Sequence, residues 1–160
     1  MIHQMCRVLS PLGERPAVGT MEFEEVRPFL EANHRGVVTT FQRNGAAQAS
    51  IVVCGPYQGN MALVSVRGNS AKVRNLRRDP RCTILTVTPD WHSYVVVEGQ
   101  ARLRDARNTE AEELRLELRQ VYRACGGGEH PNWNEYDQVM QQQDAVVVLV
   151  RPDRVYGLLR

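Results

Sequence analysis

The chain has 160 residues, 42% of them hydrophobic and 24% charged, enough for one domain with a sizeable core. A formal net charge of +2 is small for a dedicated nucleic-acid binder, and no apolar run approaches a membrane span. The four cysteines (Cys6, Cys54, Cys82, Cys125) lie far apart, with no Cys-x-x-Cys and no Cys/His pairing at zinc-finger spacing, which predicts reduced thiols in a cytoplasmic protein.

Residues 1–20 hold Pro11, Gly13, Pro16 and Gly19 among polar residues and lack the apolar stretch of a secretory signal. They read as an arm, mobile or embracing a partner, ahead of a folded domain over 21–160. Thr20 is placed to cap a helix reaching about Asn33, with Phe23, Val26 and Leu30 on one face; Pro28 either kinks or restarts it. The β-branched run 36–42 predicts a strand, and Asn44-Gly45 a hairpin into a return strand from Gln48 to Cys54. The segment 55–60 turns the chain into a strand over 61–66. A short basic helix follows and stops at Asp79-Pro80, and 82–87 is the next strand. Ser93 to Leu103 is the longest strand, its second half alternating between apolar Val97, Gly99, Ala101 and Leu103 and polar Glu98, Gln100 and Arg102. Thr109-Glu110-Ala111-Glu112 reads as a capping box opening a helix with Leu114, Leu118, Val121 and Tyr122 on one face, ended by the glycines after Cys125. A polar segment with His130, Pro131, Trp133 and Tyr136 precedes a last strand from Ala145 that continues past Pro152 to Gly157. Hairpin-joined strands with one late crossover do not make βαβ units, so the pattern predicts an antiparallel barrel or sandwich with helices outside it.

Of the 20 basic residues a single one, Lys72, is lysine. It falls in the first turn of the basic helix, where unpaired backbone N–H groups and partial positive charge favour an anion. Arg67, Lys72, Arg74, Arg77, Arg78 and Arg81 concentrate charge there against Asp79 alone. A solvated basic helix face is the plainer reading of the same residues. No Gly-x-Ser-x-Gly, Walker loop or His-Glu-x-x-His is present, and His3, His34, His92 and His130 are scattered. Glu112, Glu113 and Glu117 fit ion pairs along their own helix. An anion site without an acid, base or nucleophile points to chemistry carried by a cofactor.

The segments Ser70-Ala71-Lys72-Val73-Arg74-Asn75-Leu76-Arg77-Arg78-Asp79-Pro80, Tyr94-Val95-Val96-Val97-Glu98-Gly99, Gly128-Glu129-His130-Pro131-Asn132-Trp133-Asn134-Glu135-Tyr136 and Pro152-Asp153-Arg154-Val155-Tyr156-Gly157 resemble the pyridoxamine 5′-phosphate oxidase-like split β-barrel superfamily, nearest its deazaflavin (coenzyme F420)-dependent branch. The resemblance spans about residues 21–158. It implies a mainly β, α+β fold: a six-stranded antiparallel split β-barrel with flanking helices, homodimeric, with cofactor clefts between subunits. In it Lys72 would contact a cofactor phosphate, with Ser65, Val66, Arg67 and Ser70 in the same anchor and Asn75 further along the helix. Gln48, Ser50 and Ile51 would lie along the ring system, and Trp91 would approach from the partner subunit.

The implied activity is that of an oxidoreductase transferring a hydride from reduced coenzyme F420, or FMN, to a conjugated small-molecule acceptor such as a quinone, enone or tetrapyrrole. The alternative is a non-catalytic flavin- or haem-binding carrier or sensor. Two positions depart from the resemblance. Trp91-His92 displaces the expected aromatic by one residue, which in a strand would turn His92 toward the ring as a proton donor. Gln142-Gln143-Asp144 stands where arginines are usual, removing an anion contact for a long acidic cofactor tail.

Overall fold

The structure is a computed structural model that describes residues 19–160. The arm, apart from its last two residues, and with it His3 and Cys6, lies outside that range. Strands β1 (Thr20–Met21), β2 (Arg35–Phe41), β3 (Ala47–Tyr57), β4 (Asn60–Ser65), β5 (Arg81–Val87), β6 (Tyr94–Arg104) and β7 (Val146–Leu158) alternate with helices α1 (Phe23–Ala32), α2 (Ala71–Arg78), α3 (Ala111–Tyr122) and α4 (Trp133–Gln142). All pairings are antiparallel, in the order β1-β7-β4-β3-β2-β5-β6, and β6 also pairs with β7. That last pairing closes β2–β7 into a six-stranded barrel and decides between barrel and sandwich. Thr20, placed in the arm by its sequence, pairs with Tyr156 on the outer edge of β7.

The turns follow local chemistry. Asn44-Gly45 does not form a two-residue hairpin: Gly45, at φ +84°, donates to Gln42 O and ends a three-residue loop. The tight two-residue turn is Gln58-Gly59, both with positive φ, joining β3 to β4. Helix α1 begins after Glu22 rather than Thr20, and Glu22 N donates to Glu25 Oε2 at 2.8 Å. It runs unbroken through Pro28, whose exposed position leaves the freed carbonyl to solvent. Helix α3 is capped one residue later than its sequence suggests. The Glu110 carboxylate accepts from Glu112 N and Glu113 N, while Thr109 Oγ1 turns to Asn108.

One apolar cluster fills the barrel: Val38, Val52, Ile84, Val97, Val148 and Val150 from the strands, with Val26, Leu30, Val73 and Leu76 from α1 and α2. These two helices flank the barrel as expected and pack their apolar faces onto its interior. A second cluster sits on the outer wall, where α3 and α4 cover Ala62, Val147 and Leu149 with Leu114, Leu118, Val121, Tyr136 and Met140. Both faces of β7 are consequently buried from Val146 to Val150, which explains its unbroken apolar run. The α3 carboxylates do not all pair along the helix. Glu112 pairs with Arg115, but Glu113 and Glu117 reach Arg104 on β6, because α3 lies against the sheet.

Candidate functional site

β3 pairs with β2 from Ala47 to Val53 but with β4 only from Cys54 to Tyr57. Beyond Leu63, β4 pairs with β7 alone. The two neighbours thus part company, and among the described residues the β4-facing backbone edge of β3 over 47–53 has no strand partner. A cavity of about 650 Å³ opens at this split. Its floor is Ile51, Val53, Val64 and Val66; its far wall is Tyr122, Cys125, Tyr136 and Met140; its basic end is Arg67, Ser70 and Lys72.

The basic end is the start of α2. Ser70 occupies the N-cap position, yet its side chain does not cap the helix. Ser65 Oγ donates its single proton to Arg67 O at 3.1 Å, so the 3.1 Å contact between the two hydroxyls has Ser70 as donor to Ser65. The first-turn N–H groups of Ala71, Lys72 and Val73 are left without a side-chain cap and aim out of the helix. Lys72 is half-buried, burial holds its pKa below the usual lysine value of 10.5, and neither it nor Arg67 has an ion-pair partner among the described residues. A partly desolvated ammonium without a counter-ion, beside uncapped amides, fits a phosphate.

The sequence-predicted residues divide. Lys72, Arg67, Ser70, Val66 and Ile51 line one cavity, with buried Ser65 behind it. Gln48 and Ser50 share the inward face of β3 with Val52, opposite Ile51, as strand alternation requires. Asn75 is buried away from the cavity: Nδ2 donates to Thr40 Oγ1 at 3.1 Å and to Gln48 Oε1 at 2.9 Å, tying α2 to β2 and β3. Trp91 and His92 do not line the cavity of their own chain. They stand in the β5–β6 loop, not in a strand, so the face-reversal expected of a one-residue slip does not operate. Trp91 has φ +64° and is 79% exposed. The His92 backbone N–H donates to Asp90 Oδ1, and its Nδ1 lies 3.4 Å from Asp90 Oδ2. Gln143 O accepts from Gly68 N at 3.0 Å, and a Cβ on Gly68 would stand 2.0 Å from Asp144 O, so 142–144 straps the loop carrying Arg67 by its backbone.

The far wall was not foreseen. Helix α4 is the polar segment after the glycines, and the chain reaches it through a π-type turn, Arg123–Gly127, in which Gly126 has φ +81°. Asn132, whose side chain accepts from Glu135 N, and the four-residue spacing of Tyr136 and Met140 are the signals that mark α4. Tyr122, His130, Trp133 and Tyr136 cluster at 5.2–5.7 Å between ring centroids, Tyr122 edge to face with the other three. Burial pushes the Cys125 thiol up to about 12, and Sγ donates to Ala62 O, so this cavity-lining cysteine is no nucleophile. Among the described residues no carboxylate or imidazole lines the cavity. It can hold an anion at one end and a flat apolar body along its length; proton transfer must come from elsewhere.

A closed barrel parted at β3/β4, with an uncapped basic helix start beside the gap, defines a split-barrel protein. Residues 23–159 match the family profile described as pyridoxamine 5′-phosphate oxidase, and the chain belongs to that family. Solved structures of like fold include a conserved hypothetical protein of Mycobacterium tuberculosis, at 23% identity and TM-score 0.69 over 91% of this chain and 89% of that one. An F420 reductase aligns at 18% identity and TM-score 0.59, over 81% of this chain and 94% of its own. A haem-binding protein of Mycobacterium smegmatis aligns at 24% and 0.62, over 89% of this chain and 55% of its own. At these identities the likeness is one of fold. Among the described residues no helix is long and apolar enough to cross a membrane.

Proposed function

We propose that the chain is an oxidoreductase that binds coenzyme F420, or FMN, in the Lys72 cavity and serves a flat, conjugated small-molecule acceptor. The observation that carries the reading is the half-buried Lys72, without a counter-ion among the described residues, at an uncapped helix start beside an unpaired strand edge. Lys72, Arg67, the Ser70 hydroxyl and the first amides of α2 would hold the phosphate. Ile51, Val53 and Val66 supply an apolar floor, and the open backbone edge of β3 offers hydrogen bonds to a polar ring edge. Tyr122, Tyr136 and Met140 exclude water from one side. When bound, the reduced cofactor supplies the hydride; this chain's residues position and desolvate, with little need for a dedicated acid or base.

Ile51 is 89% exposed and Val53 57% exposed, an uncovered apolar strip on the cavity floor. A second copy of the chain is the proposed cover, bringing its own Trp91–His92 loop to the cleft and completing a homodimer. His92 would then be the proton donor nearest the acceptor. The enzyme reading is tested by anaerobic mixing: protein loaded with reduced deazaflavin, and separately with reduced FMN, is mixed with a soluble quinone. Oxidation of either cofactor faster than in free solution is expected. Binding without acceleration for a quinone, an enone and a tetrapyrrole would replace the enzyme with a carrier or sensor.

A further inference from the structure

Helix α2 has a second basic flank that the cofactor reading does not use. Arg74, Asn75 and Arg78 stand three, four and seven residues after Ala71, a spacing that stacks them on one helix face. Together with Arg43 from the β2–β3 loop, Gln48 and Arg77 they line a separate cavity of about 710 Å³ that no carboxylate lines. Arg77 is balanced by Asp105, 2.6 Å away, whereas Arg43, Arg74 and Arg78 have no ion-pair partner among the described residues.

Two of these three exposed arginines are tied down by hydrogen bonds. Arg78 donates to Phe41 O and, at 3.3 Å, to Asn75 Oδ1, while Arg74 donates to Asn69 O. Buried Asn75 also takes Gln48 Oε1 as acceptor, which turns the Gln48 amide NH₂ outward as a further donor. Three guanidiniums without an ion-pair partner among the described residues, two of them held by hydrogen bonds, repel one another around one opening, and an anion of more than one charge removes that repulsion. The forks come from a loop and from two positions of a helix, so they approach in different planes. Tetrahedral phosphates, with acceptor oxygens in several directions, suit such a set better than a planar carboxylate.

We infer that this flank is a second anion site, distinct from the Lys72 cavity, that takes a compact oligophosphate. The probe is sodium tripolyphosphate, titrated calorimetrically into the full-length protein at low salt. A saturable site that persists in Lys72→Ala protein is expected, weakening steeply as salt rises. Arg43 and Arg74 are exposed, so the double variant Arg43→Gln/Arg74→Gln should keep the wild-type circular dichroism and denaturation midpoint. It should bind tripolyphosphate at least about tenfold more weakly, the change that loss of one charged hydrogen bond brings. Lys72→Ala should leave that affinity unchanged. Absence of saturable binding would overturn the site. Weakening by Lys72→Ala but not by the arginine pair would place the anion in the cofactor cavity instead, and citrate binding as tightly as tripolyphosphate would overturn the oligophosphate assignment. A failure of the cofactor reading shows in the flavin titrations and leaves this result untouched.

Discussion

The outer wall of the barrel is built in two ways. On β4 and β7, Ala62, Val147 and Leu149 point outward and are sealed under α3 and α4. On β3, Ile51 and Val53 also point outward, and no described residue covers them. Strand alternation alone places apolar residues outside in both regions, so the difference lies in what lies over them. The covered wall contributes to stability: each buried aliphatic side chain there is worth about 1.5–3 kcal/mol of transfer free energy. The bare wall gives up that contribution and, among the described residues, keeps a strand edge, an apolar strip and an unneutralised lysine open.

The contrast breaks if the two walls respond alike to substitution. Leu149→Ala, on the covered wall, should cost about 2–5 kcal/mol in chemical denaturation, because the cavity it leaves cannot collapse between sheet and helices. Lys72→Ala should instead leave stability nearly unchanged and weaken cofactor binding by about 1.5–3 kcal/mol, read by titration. The pH dependence sharpens this second case. The ammonium binds phosphate only while protonated, and burial lowers its pKa, so affinity should fade with rising pH earlier than a lysine at 10.5 would allow. Lys72→Arg should hold its affinity through that alkaline range, and an identical fade in wild type and variant would remove Lys72 from the anchor. Glu110→Ala should cost about 1 kcal/mol of stability through the lost α3 cap, whereas Thr109→Ala should cost less. The smallest effect on folding belongs to the bare wall: Ile51→Ser should change monomer stability by no more than about 0.5 kcal/mol. It should nevertheless shift sedimentation toward a smaller species; unchanged sedimentation would mean that no second copy covers the strip.

Much of the architecture was legible because it is encoded locally. Alternation in β6, the β-branched runs of β2 and β7 and the basic first turn of α2 each declare themselves within a few residues. What escaped depends on distant partners. Closure needs Val97 opposite Val155, far along the chain, and nothing near Val97 announces it. The split needs β4 to leave β3 after Leu63, opposite Cys54, a consequence of β4 following β7 instead. Helix α4 was hidden by Gly126-Gly127-Gly128, which suggested a loop, although Gly126 serves to bring the π-type turn against His34 and Gly127 lies under Tyr122. For the site, Lys72 stood out by composition, whereas Ile51 entered only through the family resemblance. Whether Gln48 and Ser50 shared the face of Ile51 was decidable from alternation, and they do not.

The most direct test is a calorimetric titration of wild-type and Lys72→Ala protein with oxidised deazaflavin and with FMN under one buffer. Saturable binding of at least one of them, weakened about tenfold or more by Lys72→Ala at unchanged denaturation midpoint, is the predicted result. Binding of neither, or binding indifferent to Lys72, would contradict the assignment of the split cavity as the cofactor site.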